Sequence, residues 1–166
     1  MKKIFATFLS IMIIANSLLL TANAAPVNTL TDNFEVISEN IEYLSDGTSV
    51  TITVLEEKDA LPTRATSYTK SGAKNYTAKD SNGNILWTFT VKGTFTVNSG
   101  VSATCTSTSY STSNLSSGWE LDSASTYASS NTAVGDATFK HKTLFITTDT
   151  KSCHVVLTCD ANGNLS

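Results

Sequence analysis

Ile85-Leu86-Trp87-Thr88-Phe89-Thr90-Val91-Lys92-Gly93-Thr94-Phe95-Thr96-Val97 alternates without a slip. Ile85, Trp87, Phe89, Val91, Gly93, Phe95 and Val97 fall on one side. Leu86, Thr88, Thr90, Lys92, Thr94 and Thr96 fall on the other. Period-two alternation rich in aromatic and β-branched residues describes a half-buried β-strand, and Gly93 is its natural bend. The flanks carry turn signals. Asn82-Gly83 suits a two-residue type I′ hairpin that pairs Ser81 with Asn84, Ala78 with Trp87 and Tyr76 with Phe89. Asn98-Ser99-Gly100 suits a three-residue loop pairing Val97 with Val101, Phe95 with Ala103 and Gly93 with Cys105.

Two further hairpins follow from the same test. Asp46-Gly47 closes Tyr43 on Val50 and Ile41 on Ile52, and a turn at Asp149-Thr150 sets Ile146 opposite Cys153 and Leu144 opposite Val155. Each register brings apolar residues to one face, which a one-residue slip would undo. Trp119–Tyr127 and Thr132–Lys140 are two more strands. Phe34, Ile37, Ile41 and Leu44 have helical spacing, so Thr31–Ile41 is either a short helix or a leading strand. The fold class is therefore all-β, an antiparallel sandwich of about eight or nine strands, with a barrel as second choice.

The 166 residues suffice for one ordinary domain. Met1-Lys2-Lys3, the apolar run Ile4–Leu20 and Ala22-Asn23-Ala24 form a signal-peptide pattern over residues 1–24. Export and an extracellular location are expected, with no membrane contact after cleavage. Residues 25–60 hold eight acids against one base, Lys58, whereas 61–166 hold eight bases against six acids. We accordingly divide the mature chain into an acidic segment, 25–65, containing a hairpin and the linker Ala60–Arg64, and a sandwich body, 66–166. A net charge of −3 provides no basic footprint for nucleic acid.

Three cysteines in an exported chain point to a disulfide. Cys153 and Cys159 share one strand at ~3.3 Å per residue, about 20 Å apart, and cannot pair. That leaves Cys105–Cys159 or Cys105–Cys153. The first is preferred, because Cys153 lies mid-strand opposite Ile146 and serves as a small buried thiol.

Few residues suggest chemistry. His141, between Lys140 and Lys142, is expected to be solvated. His154 points away from Cys153, beside Phe145. Asp80-Ser81-Asn82-Gly83-Asn84 and Asp160-Ala161-Asn162-Gly163-Asn164 repeat one pattern, but no Glu completes a calcium loop, so two turns are expected. No nucleophile elbow or metal-ligand spacing occurs, and no catalytic residue, metal or cofactor is assigned. Residues 61–166 contain 37 Ser and Thr. The ladder Thr88, Thr90, Thr94 and Thr96 is the candidate binding face for a polar surface such as a glycan, with Tyr68, Tyr110 and Phe145 as the free rings.

Lys74–Thr77, Asn84–Phe95, Ala103–Ser109 and Leu157–Ser166 together resemble a group of small secreted β-rich proteins of Gram-positive (Firmicutes-type) bacteria. The resemblance covers most of residues 41–166. It implies export, this architecture, and a bridge between the two cysteines matching Cys105 and Cys159, with Cys153 as the departure. It implies no activity. The expectation is a secreted, non-enzymatic binding module whose partner is a cell-wall glycan or a protein. The alternative is a secreted antibacterial or toxin-like effector.

Overall fold

The computed structural model describes residues 33–58 and 66–166. The signal-peptide pattern and the linker Ala60–Arg64 lie outside them. Eight antiparallel strands form two sheets, with no helix among the described residues. The strands are β1 (Phe34–Tyr43), β2 (Ser49–Glu57), β3 (Ser67–Lys79), β4 (Ile85–Asn98), β5 (Ser102–Ser113), β6 (Trp119–Ser129), β7 (Thr132–Thr143) and β8 (Ile146–Thr158). Sheet order is β1-β2-β3-β4-β5 and β6-β7-β8, each a meander. The two stack as a β-sandwich rather than closing as a barrel.

β4 lies in the larger sheet with its odd-numbered residues inward. Trp87, Phe89, Val91, Phe95 and Val97 are all buried. Trp87 stacks on Phe139 of the smaller sheet at 4.1 Å between ring centroids and 10° between planes. Phe89 meets the same ring edge-on. Glycines set how closely the sheets approach. A methyl group at Gly135 would collide with Val91, and one at Gly93 would lie 2.9 Å from Ala133 Cβ. The acidic segment's hairpin forms β1 and β2, and β2 pairs with β3 along its length.

The hairpins exist where expected in three cases, with altered details. Ala78 faces Trp87 and Tyr76 faces Phe89. The turn itself is the five-residue loop Asp80–Asn84, with only Gly83 at positive φ, instead of a type I′ pair. After β4 the loop is Ser99-Gly100-Val101, so Val97 faces Ala103 and Phe95 faces Cys105. That shift of two preserves parity, and Cys105 still enters the core. The first hairpin slips by one. Its loop spans Leu44–Thr48, placing Tyr43 opposite Ser49 and Ile41 opposite Thr51. Thr31–Ile41 resolves as strand from Phe34, and a register shift between Val36 and Ser38 explains why its apolar residues mimic helical spacing.

The fourth hairpin is elsewhere. β8 runs unbroken through Asp149-Thr150, and the chain turns at Leu144-Phe145, so Cys153 faces Ala137 rather than Ile146. Type I′ turns need positive φ at both corners, which Leu144 (49°) and Phe145 (70°) adopt without glycine or asparagine. All three cysteines are buried and unbridged in the structure. At the C-terminus Leu165 folds back as a bridge to Cys159 and plugs the core beside Gly72.

Candidate functional site: a polar groove on the smaller sheet

The Thr ladder lies on the outer face of the larger sheet, and the hydroxyls of Thr88 and Thr90 are engaged. Thr88 and Thr90 are each only 6% exposed. Thr88 Oγ1 lies 3.2 Å from Thr77 Oγ1 and accepts from Asn114 Nδ2 at 3.3 Å. Thr90 Oγ1 donates to Asn75 Oδ1 at 2.8 Å. Thr94 and Thr96 are half-buried. A central strand has neighbours on both sides, and those side chains cover it. Tyr68 is tied down by donating its hydroxyl to Asn162 O at 3.1 Å, and Tyr110 packs on Phe89.

The smaller sheet carries a more open surface. Register fixes it row by row. Tyr127 faces Val134, which faces Val156. Ser125 faces Asp136, which faces His154. Ser123 faces Thr138, which faces Ser152. These rows point away from the core, because Ala133, Ala137, Phe139, Cys153, Val155 and Leu157 occupy the alternate, buried positions. Ser123, Ser125, Asp136, Thr138, Ser152 and His154 line a groove of about 440 Å³. Tyr127, half exposed, borders it at one end, and the pair Lys140–Asp122 (2.7 Å) lies one row beyond the other.

A single extra residue makes this surface. The register between β6 and β7 shifts between Leu121 and Ser123, so Trp119 and Leu121 point inward, and inward positions then resume at Ala124. Without that bulge Tyr127 would enter the core and Ser123 and Ser125 would leave the groove. Uninterrupted alternation from Trp119 assigns Tyr127 inward, which is why the sequence hides the site.

Within the groove His154 Nδ1 lies 2.7 Å from Asp136 Oδ1. The carboxylate beside Nδ1 fixes the ring and leaves Nε2 toward solvent. Thr138 Oγ1 and Ser152 Oγ bond each other at 3.1 Å. The hydroxyl pair is thus engaged separately from the imidazole–carboxylate pair, which suits display of donors and acceptors better than activation of a serine. Behind the groove the Cys153 thiol faces the core, and burial pushes its pKa up to about 12. His141 belongs to β7 and is half-buried. It packs on Trp119 with its Nδ1 2.8 Å from Thr148 Oγ1, rather than standing free in a connection.

Asp80 and Asp160 form matching turns. Each Oδ1 accepts from two backbone N–H groups of its own loop, at 2.8–2.9 Å, and each Oδ2 from the closing asparagine. Hydrogen bonds from Asn84 and Asn164 hold the two carboxyls below the usual aspartate value. No family model, curated protein or solved structure matches the chain.

Proposed function

We propose that the protein is a secreted, non-enzymatic binding module, and that the groove over Thr138 takes a hydroxyl-rich ligand of the cell-wall glycan type. The observation carrying this reading is the ordered ladder of rows: an aromatic edge at Tyr127, an acid–imidazole pair, and a row of three hydroxyls. Sugars are bound by a flat ring against their C–H face and by convergent polar groups around their hydroxyls. Both elements stand side by side on one rigid sheet.

The same reading includes a Cys105–Cys159 bridge on export. Cys105 N–H donates to Ser130 O at 2.7 Å and Cys159 N–H to Asn131 O at 3.0 Å, so both flank one turn. Cys153 sits six residues up β8.

The test is retention of residues 25–166 on insoluble peptidoglycan and on mucin, beside Tyr127→Ala and the double variant Ser125→Ala/Thr138→Val. Wild type should be retained and each variant weakened about tenfold or more, as expected for loss of about 1.4 kcal/mol or more. Retention that neither variant reduces would overturn the assignment to this groove.

A further inference from the structure

The β7–β8 hairpin ends in a way that neither the fold nor the groove requires. Leu144 and Phe145 occupy the two corners of its turn at φ 49° and 70°, where Asn-Gly would sit without strain. The chain keeps large apolar side chains there, and they touch almost nothing. Phe145 is 100% exposed, Leu144 86% and Ile146 69%. Ile146–Thr150 are all exposed, so the tip stands clear of the core.

Three other connections reach the same end of the sandwich: Leu44–Thr48, Asp80–Asn84 and Asn114–Gly118. Lys142 N–H donates to Gly118 O at 2.8 Å, and Lys151 pairs with Asp46. Exposed apolar residues recur on them or beside them, at Tyr43, Leu44, Ile85 and Leu115. At the opposite end the exposed apolar residues are Val101 in its turn and Val36 and Ile37 near the start of β1.

The Leu144–Ile146 tip itself projects, and two lysines stand directly behind it. Lys140 and Lys142 form exposed pairs with Asp122 and Glu120. Such exposed pairs are worth under about 1 kcal/mol, so they hold the ammonium groups only loosely. Apolar tips backed by lysines match a bilayer interface, where side chains enter the acyl boundary and ammonium groups reach the headgroups. We propose that the Leu144–Ile146 tip docks the exported protein on a lipid surface. This revises the expectation that membrane contact ends with leader removal, and it does not depend on what the groove binds.

The experiment is cosedimentation of residues 25–166, which contain every described strand, with protein-free phosphatidylcholine/phosphatidylglycerol vesicles. Wild type should pellet, and partitioning of Leu144→Asn/Phe145→Gly should fall at least about tenfold, because two inserted side chains are lost. That variant supplies the residues the turn prefers, so its melting temperature should not drop. In Phe145→Trp, vesicles should shift the fluorescence of the new indole to the blue. The proposal is overturned if wild type stays in the supernatant, if the Asn-Gly variant pellets equally, or if retention requires a surface protein in place of lipid.

Discussion

Gly135 and Cys153 occupy neighbouring inward positions on adjacent strands of the smaller sheet and predict different responses. A side chain at Gly135 would meet Val91 and Phe89, both fixed in the core. Gly135→Ala should therefore destabilise by about 1–3 kcal/mol through overpacking, measured as a lower urea midpoint. The Cys153 thiol keeps its proton to a pKa of about 12 when folded, against 9.0 when exposed. Above about pH 9 the unfolded chain loses a proton that the folded chain retains, so stability falls as pH rises. Wild type should lose more stability than Cys153→Ala between pH 8 and about 10. The Asp160 carboxyl has the opposite sign. Its lowered pKa stabilises the fold above the ordinary value of 3.8 and is lost as pH falls. Asp160→Ala should melt below wild type at neutral pH, with the difference narrowing under acid.

Turns and bulges decide what each strand presents. Replacing Leu144-Phe145 by Asn-Gly should raise stability by a few tenths to about 1 kcal/mol, because the corner residues no longer carry a side-chain penalty at positive φ. An unchanged or lower melting point would mean that the tip is not strained. The strands themselves were legible, since β4 alternates and Asn82-Gly83 set the pairing of Ala78 with Trp87. The groove was not. It depends on one extra residue in β6 and on a turn with no turn residues, and periodicity carries a signal for neither. With the hairpin placed at Asp149-Thr150, His154 falls beside Phe145. With it placed at Leu144-Phe145, His154 falls opposite Asp136. The Thr ladder was legible as a pattern, but a pattern cannot reveal that β3 and β5 cover a central strand.

Across the whole molecule, two sheets meet through a narrow aromatic seam. Trp87 touches Tyr76, Trp119 and Phe139 at once, so Trp87→Ala should cost about 3–5 kcal/mol by equilibrium unfolding. The low charge of the chain follows from the same architecture, because outward strand positions hold Ser and Thr. On the smaller sheet these line a groove, whereas on the larger Thr88 and Thr90 are buried between neighbouring strands. Amide chemical-shift mapping of residues 25–166 with soluble peptidoglycan fragments separates the two faces directly. Our account predicts shifts confined to Ser123, Ser125, Tyr127, Asp136, Thr138, Ser152 and His154. Shifts centred on Thr88, Thr90, Thr94 and Thr96, or none on either sheet, would contradict it.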